Sequence, residues 1–287
     1  MACVLLDGNA VFREIKIELR ARVEALRARG IVPGLGTVLV GDDAASAKYV
    51  GMKHRNCREL GVASIHAHLP ATCTQDELEA VIDAFNADPE VDAYLVQYPI
   101  PKGLDYARAS LRVDPDKDVD GLHPVNLGRL VMGERGPRPC TPAGIQRLLV
   151  EYDVPIEGRT IVIIGRGLTV GKPLANLLSL KEPHANAAVT LLHTGVTDIR
   201  PHVERADIVV AAAGAPGIVT KQMVKPGAAV VQTGTTIIDG DYQPDVDDDV
   251  QDVAGWFSPV ILSVGPMTRA SLFENCISAA ERRAVTA

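Results

Sequence analysis

A tyrosine and a lysine, Tyr49 and Lys53, lie four residues apart in the segment YVGMK. On a helix this spacing brings both side chains to the same face. The phenol could then hydrogen-bond to a ligand or stack on it while the amine transfers a proton. Apolar surroundings remove water from an ammonium group and lower the pKa of a lysine, which favours general acid/base catalysis. The same pair also occurs on surface helices without any catalytic role, so the spacing alone leaves both interpretations open.

Two polar loops supply further candidates. Gln97 follows the apolar run DAYLV, and Asp120 precedes a glycine in DVDGLHP. If the apolar run is a strand, Gln97 lies at the carboxyl end of a sheet, where open α/β sheets bind ligands. The segment DPDKDVDG resembles a calcium loop, but Leu127 stands where the bidentate glutamate is required. His66 and His68 are interpreted as ordinary strand residues, so we predict no metal site.

A glycine-rich turn follows the apolar run TIVII, in the segment GRGLTVGKP. A strand, a glycine turn and a helix start form a site where backbone N–H groups and the helix dipole face a phosphate. The spacing is one residue longer than the usual Rossmann fingerprint, and a glycine turn without a ligand is the alternative. A P-loop is excluded because Pro173 replaces the magnesium-binding Ser or Thr. The candidate cofactor-binding residues are Gly165, Arg166, Gly167 and Gly171.

The next apolar run ends in AVTLLHT. Folds that bind NAD often place an acidic residue there, on the ribose 2′-hydroxyl. Here His193 and Thr194 occupy that region, and Arg166 lies in the glycine loop. A guanidinium and an imidazole suit a 2′-phosphate, which favours NADP over NAD but leaves both possible.

Apolar periodicity predicts a repeating strand–helix order, typical of an α/β fold with parallel sheets. Thr74 and Glu77 are predicted to form a capping box, and Thr141 to cap a helix that begins at Pro142. Residues 112–140 are predicted to be rich in loops. The predicted strands cover residues 37–40, 63–69, 92–97, 160–165, 188–193, 207–214 and 228–233. The predicted helices cover residues 9–29, 44–60, 74–86, 170–181 and 267–283, and another begins at 141.

The whole chain excludes several classes of protein. Its 287 residues suit one large or two medium domains. The net charge is −7 and no run of Lys and Arg occurs, so we predict no nucleic-acid partner. Five scattered cysteines without a CxxC pair argue against disulfides and structural zinc, and indicate a reducing cytoplasm. No signal peptide is expected, and no apolar run approaches the roughly 18 residues of a membrane span.

Nine segments occur in a characteristic order: YVGMK, VQYPIP, KDVDG, PCTPAG, GRGLTVGKP, VTLLHT, ADIVVAAAG, VKPGA and SVGPMT. As a set they closely resemble the bifunctional methylenetetrahydrofolate dehydrogenase/methenyltetrahydrofolate cyclohydrolase family over nearly the whole chain. The resemblance implies two three-layer α/β domains around a cleft, and a homodimer. The catalytic, folate-binding domain would comprise residues 1–142 and a C-terminal helix, 266–287. The Rossmann-type NADP-binding domain would comprise residues 143–265.

The resemblance also implies a reaction. NADP would oxidise 5,10-methylenetetrahydrofolate to 5,10-methenyltetrahydrofolate, which would be hydrolysed to 10-formyltetrahydrofolate. Lys53 would assist the proton transfers, Gln97 would hold the lysine, and Asp120 would accept hydrogen bonds from the pterin amide edge. Tyr49 would pack on the folate, and the backbone of Thr235 would meet the nicotinamide. The other predicted substrate contacts are Val96, Tyr98, Ile261, Leu262, Gly265 and Pro266.

The chain departs from the family pattern at several positions. Tyr98 replaces a leucine, Gly167 a serine, and Ile261-Leu262-Ser263 a Pro-Gly-Gly run, while Gln232 and Thr233 replace an acidic and an apolar residue. Side chains in place of glycines restrict the backbone and reshape one wall of the predicted site. These changes suit a specialised paralogue with one activity lost or a modified one-carbon step. A Rossmann-type binding or regulatory protein without turnover is the third possibility.

Overall fold

The computed structural model describes residues 2–238, 241–259 and 262–286. The helices are α1 (Gly8–Arg27), α2 (Ala44–Leu60), α3 (Gln75–Ala87), α4 (Tyr106–Arg112), α5 (Pro124–Met132), α6 (Cys140–Glu151), α7 (Gly171–Ser179), α8 (Arg200–Val203) and α9 (Val264–Thr286). The strands are β1 (Val4–Leu5), β2 (Gly34–Val40), β3 (Ala63–Leu69), β4 (Ala93–Val96), β5 (Thr160–Ile164), β6 (Ala188–Leu192), β7 (Ile208–Ala211), β8 (Ala229–Gln232), β9 (Thr235–Ile238), β10 (Asp241–Pro244) and β11 (Trp256–Ser258). Within these residues, no helix has the length and apolar character needed to cross a bilayer.

The chain forms two compact units, which we name by their sheets. The three-stranded unit comprises Glu14–Arg129, Arg135–Arg138 and Arg269–Ala287. The Rossmann-type unit comprises Met1–Arg13, Leu130–Glu134 and Pro139–Thr268. In this division residues 1–13 fall with the second sheet, whose strand β11 pairs in parallel with β1, and the predicted domain boundaries stay a prediction.

The three-stranded unit has the parallel strand order β3-β2-β4. Every residue of the central strand β2 is buried, including the polar Thr37, so the strand shows no alternation of buried and exposed residues. Its core includes Val38, Leu78, Ile82 and Tyr94, the last of which donates a 2.6 Å hydrogen bond to Asn86 Oδ1. Burial raises the pKa of the Tyr94 phenol, which therefore stays neutral.

Helix α2 carries Tyr49 and Lys53, and local signals set both its ends. The Asp43 side chain accepts a 2.7 Å hydrogen bond from the backbone N–H of Ser46 at the first turn. Gly61 ends the helix with φ +76°, a conformation that costs glycine little. The predicted range 44–60 is therefore confirmed.

The Rossmann-type unit contains a six-stranded parallel sheet in the order β1-β11-β8-β7-β5-β6. After β5 the chain adds β6 on one side and then returns to add β7 on the other. The strand order therefore reverses at β5, and ligands bind at the carboxyl ends of strands at such a reversal. The glycine-rich segment begins directly after β5. The mixed α/β architecture and the parallel Rossmann-type sheet were predicted and are confirmed.

One local prediction is incomplete and another is wrong. Residues 112–140 are rich in loops as predicted, but helix α5, which was not predicted, lies within them and buries Asn126 and Leu130, four residues apart on one face. Gly128 in its middle weakens the helical signal in the sequence. Thr141 does not cap α6: the cap position is Pro139, and no described side chain caps this end. Thr141 Oγ1 instead accepts a 3.1 Å hydrogen bond from the hydroxyl of Thr268.

Candidate active site

Lys53 and Gln97 are joined directly in the three-stranded unit. The ammonium of Lys53, on α2, donates a 2.9 Å hydrogen bond to Oε1 of Gln97, just after β4. Gln97 is held by its backbone N–H, 2.8 Å from the Val38 carbonyl, and by its side-chain N–H₂, 2.7 Å from the Tyr98 carbonyl. Because the amide nitrogen is bound on one side, the amide oxygen faces the lysine.

Asp120 interacts electrostatically with the same lysine. Burial raises the pKa of the Asp120 carboxyl, the positive charge of Lys53 opposes that rise, and the charge of Asp118 adds to it. The three predicted catalytic residues, from segments more than 20 residues apart in the sequence, therefore gather in one unit.

A second aspartate, Asp118, holds the loop that carries Asp120. Its side chain is 8% exposed and accepts three hydrogen bonds. The donors are the backbone N–H groups of Gly121 and His123, at 3.1 and 2.8 Å, and Nδ2 of Asn126, at 2.9 Å. The sequence interpretation missed this anchor, although an aspartate three residues before a glycine is a local sign of such a turn.

Two exposed tyrosines were predicted to contact substrate. Tyr49 is 53% exposed on α2, and Tyr98 is 64% exposed beside Gln97. The Tyr98 ring packs edge-on against Tyr106, with ring centroids 5.0 Å apart. Burial, followed by the negative charge of Asp120, raises the pKa of Tyr106, a residue that the sequence interpretation did not select.

Val96, another predicted contact, has its side chain in the core, where it is 4% exposed. Only its backbone is available, and the Tyr106 hydroxyl donates a 3.5 Å hydrogen bond to its carbonyl. A contact between Val96 and substrate would therefore involve the main chain, and it stays a prediction.

In the Rossmann-type unit, two positions of the glycine loop admit only glycine. A Cβ on Gly165, which has φ +118°, would lie 2.1 Å from the Ala212 carbonyl oxygen. A Cβ on Gly171 would lie 1.9 Å from the Gly165 carbonyl oxygen. Around Gly167, in contrast, no described atom lies within 4 Å of a Cβ, so the departure from serine there is a mild one.

The amino terminus of α7, next to this loop, is suited to an anion. Among the described residues no side chain caps it. The Lys172 N–H donates a 3.1 Å hydrogen bond to the Gly167 carbonyl and Pro173 has no N–H, so the Gly171 N–H is the donor of this turn that can meet a phosphate. Arg166 and Thr194 are both exposed, and they lie two residues after the ends of β5 and β6 respectively. His193 Nδ1 accepts a 3.0 Å hydrogen bond from the Gly195 N–H, which requires an unprotonated Nδ1 and leaves Nε2–H as a donor. These donors fit the phosphates of NADP.

Asp245 supports the adjacent loop after β7 and was also missed. It is 0% exposed, and it accepts hydrogen bonds of 2.7, 3.0 and 2.7 Å from the backbone N–H groups of Ala213, Gly214 and Ala215. Gly234 must be glycine, because a Cβ would lie 1.9 Å from Asp245 Oδ2. The carboxylate therefore ties this loop to the turn after β8.

The remaining predicted residues also lie in the Rossmann-type unit. Thr235 belongs to β9, where its backbone position pairs with Pro244. Leu262 is 51% exposed, and its carbonyl accepts a 3.1 Å hydrogen bond from the Asn9 N–H. Gly265 is exposed and Pro266 is buried at the start of α9. Ile261 lies outside the described residues.

The departures at Gln232 and Thr233 stand at the end of β8. Gln232 is 1% exposed, and its side-chain N–H₂ donates to the Gly234 carbonyl. The backbone N–H of Thr233 donates a 2.9 Å hydrogen bond to the Ala211 carbonyl. Both residues therefore take part in the packing and hydrogen bonding of this turn.

No group of three or more His, Cys, Asp or Glu side chains in the described ranges could hold a metal ion. His66 Nδ1 lies 2.9 Å from Thr37 Oγ1, and His68 Nε2 lies 3.0 Å from the Gly41 carbonyl oxygen. Both histidines, on β3, thus have partners on or directly after β2.

Comparison with known proteins decides the family. Residues 6–120 match the family model described as the tetrahydrofolate dehydrogenase/cyclohydrolase catalytic domain, and residues 139–284 match its NAD(P)-binding domain. The chain belongs to this family. The tetrahydrofolate dehydrogenase/cyclohydrolase resemblance seen in the sequence is therefore confirmed.

Individual relatives in the family are similar over the full length. The bifunctional protein FolD of Syntrophotalea carbinolica is 51% identical over 284 residues, covering 99% of this chain and 98% of the relative. Among solved structures, FolD from Campylobacter jejuni has a TM-score of 0.93 at 38% identity, covering 98% and 100% of the two chains. FolD of Trypanosoma brucei, solved with NADP and an inhibitor, has a TM-score of 0.90 at 34% identity, covering 99% of both.

The two matches of the family divide the candidate site. The catalytic-domain match contains Tyr49, Lys53 and Gln97, and its last residue is Asp120. The NAD(P)-binding match contains the glycine loop, the end of β6, Asp245 and the segment from Leu262 to Pro266. The predicted catalytic residues thus lie in the first match and the predicted cofactor-binding residues in the second, in the order that the resemblance implies.

Proposed function

We propose that this protein oxidises 5,10-methylenetetrahydrofolate with NADP and then hydrolyses the methenyl product to 10-formyltetrahydrofolate. The observation that carries the proposal is the hydrogen-bonded pair of Lys53 and Gln97, with Asp120 in electrostatic contact, in a chain of this family. An amine, an amide and a carboxyl group within one unit can bind a polar heterocycle and move protons on it.

Lys53 assists the proton transfers of the hydrolytic step. Water adds to the methenyl carbon and loses one proton, which the neutral amine form of Lys53 can accept. The resulting ammonium returns that proton to one ring nitrogen as the bond from this nitrogen to the carbon breaks, and the hydroxyl proton of the adduct leaves to solvent as the formyl C=O forms. Gln97 fixes the lysine for both transfers, because its amide oxygen is 2.9 Å away and its amide nitrogen is tied to the Tyr98 carbonyl.

Asp120 recognises the pterin. The amide edge of a pterin presents N–H donors, and an ionised carboxylate accepts two of them. Because Asp118 holds this loop through three hydrogen bonds, the Asp120 carboxylate is positioned before substrate arrives. Tyr49 and Tyr98 offer exposed rings on which the flat parts of the folate can stack.

The Rossmann-type unit binds NADP, which supplies a hydride acceptor for the first step. Gly165, Gly167 and the Gly171 N–H at the start of α7 bind the diphosphate, while Arg166, His193 and Thr194 bind the 2′-phosphate. The loop held by Asp245 and the backbone of Thr235 place the nicotinamide end.

A specialised enzyme with one weakened activity is the second candidate. It is favoured by the exposure of two departures from the family pattern, Tyr98 at 64% and Leu262 at 51%. Side chains so exposed can touch a ligand directly and alter one of the two steps without disturbing the fold.

We also propose a homodimer that works in the cytoplasm. The family resemblance supports the dimer, and five scattered cysteines without a CxxC pair suit a reducing compartment. Light scattering of the purified protein at twice the chain mass would support the dimer, and a mass of 30.5 kDa would contradict it.

One assay tests the proposed reaction. Purified protein is mixed with methylenetetrahydrofolate and NADP, and the absorbance of NADPH and of the methenyl species is followed separately. Growth of both signals, followed by decay of the methenyl signal alone, supports both activities. Hydrolysis of added methenyl substrate without NADPH formation favours the specialised enzyme. Binding without conversion contradicts the proposal and favours a binding protein.

A further inference from the structure

A cavity of about 600 Å³ opens in the three-stranded unit and has no role in the proposed reaction. Lys53, Gln97 and Asp120 are not among the described residues that line it. We call it the arginine pocket, because its charged lining consists of four arginines and two carboxylates. These residues are Arg129, Arg135, Arg138, Arg282, Asp116 and Glu281.

The lining is more positive than negative even though the whole chain carries a net charge of −7. Both lining carboxylates already have an arginine partner. Asp116 lies 2.8 Å from Arg129, and the two oxygens of Glu281 accept hydrogen bonds of 2.8 and 2.7 Å from Arg22. Arg22 is not among the described lining residues, so one of the two negative charges is compensated from outside the pocket.

The backbone around the pocket is held in place before any ligand binds. Asn275 accepts a 3.3 Å hydrogen bond from the Arg138 N–H and donates a 2.8 Å hydrogen bond to the Arg138 carbonyl. Arg282 donates a 3.1 Å hydrogen bond to the Asp116 carbonyl. A lining that is ordered in advance loses less conformational entropy when it binds a ligand.

We propose that the arginine pocket binds a small polyanion that carries at least two phosphate or carboxylate charges. Guanidinium groups bind such groups through paired, charge-assisted hydrogen bonds, which a lysine cluster could not reproduce. The cavity volume lies in the range of pockets for small molecules rather than single ions. The site is separate from the glycine loop, which belongs to the other unit.

Calorimetric titration with inorganic pyrophosphate at low ionic strength tests the proposal. Arg135 is the best position to change, since its side chain is exposed and Arg135→Glu reverses one charge of the lining. We expect one pyrophosphate per chain, bound at least about ten-fold more weakly by Arg135→Glu. Arg205→Glu, at an exposed arginine of the other unit, is the matched control and should bind as the wild type does.

Three results would overturn the proposal. The first is the absence of binding to the wild-type protein, and the second is equal binding by Arg135→Glu. The third is binding that survives Arg135→Glu but is lost in Arg166→Gln, which would assign pyrophosphate to the glycine loop. Citrate as a second probe distinguishes the source of charge: competition with pyrophosphate indicates a general polyanion site, and its failure to compete indicates a phosphate-selective one. None of these measurements depends on turnover of folate.

Discussion

The Lys53 ammonium donates a 2.9 Å hydrogen bond to the side-chain oxygen of Gln97, across 44 residues of sequence. Helix α2 supplies the amine, and the end of β4 supplies the amide. Both elements belong to the same small parallel sheet and its helices, so the pair is built on a rigid part of the molecule. The pair therefore fixes the direction of the lysine side chain within electrostatic range of Asp120.

Lys53→Met is expected to abolish hydrolysis of methenyltetrahydrofolate, because the side chain keeps its length and loses the amine. The loss should be roughly 10²–10⁴-fold, the usual size of general acid/base catalysis. The decay of methenyl absorbance measures it. Lys48→Met, at an exposed lysine of the same helix, should keep the wild-type rate. A wild-type rate in Lys53→Met would refute the proposed role.

Asp120 is expected to make folate binding sensitive to acid. Because the pKa of its carboxyl is raised, the group takes up a proton at a higher pH than an exposed aspartate does. Below that pKa it loses the charge that accepts the pterin N–H groups, so the KM for folate should rise as the pH falls. Asp120→Asn should raise the KM by roughly ten-fold at neutral pH and flatten this dependence. An unchanged pH profile in the variant would contradict this role.

The same residue should lower stability at neutral pH. The folded protein binds the Asp120 proton more tightly than the unfolded chain does, since the folded pKa is the higher of the two. As the pH falls from neutral through the raised folded pKa towards the pKa of the unfolded chain, the contribution of Asp120 therefore makes the folded state more stable. Asp120→Asn removes the partly desolvated carboxylate charge, so its Tm at neutral pH should exceed that of the wild type. A lower Tm would show that the attraction to Lys53 outweighs burial.

Asp245→Ala is expected to weaken NADP binding and to destabilise the Rossmann-type unit. Three backbone N–H groups would lose their acceptor, which costs on the order of 2–4 kcal/mol of unfolding free energy. Urea denaturation and NADP fluorescence titration measure the two effects. Asp248→Ala, at an exposed aspartate three residues later, is the control and should change neither. Unchanged NADP affinity in Asp245→Ala would separate this loop from cofactor binding.

Gly165 and Gly167 belong to one loop but should respond differently when a side chain is added. Gly165→Ala forces a Cβ to within 2.1 Å of the Ala212 carbonyl at a positive φ, so we expect loss of folded protein or of NADP binding. Gly167→Ser meets open space and should leave Tm and NADP affinity close to those of the wild type. Equal tolerance at both positions, measured by thermal unfolding, would contradict the described course of the loop.

Features that depend on neighbours within a turn or two were predictable from the sequence. Helix α2 begins and ends where Asp43 and Gly61 indicate, and Thr74 and Glu77 form the predicted capping box. The glycine loop and the parallel sheets followed from the pattern of apolar runs and glycines. Such signals are readable because the interacting groups are close together along the chain.

What the tertiary structure alone decided is how distant segments hold the site. Asp245 reaches backbone groups about 30 residues earlier in the chain, and Asn275 donates a 2.9 Å hydrogen bond to the Val119 carbonyl, 156 residues away. The two-residue strand β1 is too short for any alternation to show, and only its pairing with β11 assigns it to the Rossmann-type unit. No local spacing encodes these contacts, because each depends on where folding brings two otherwise unrelated stretches of backbone.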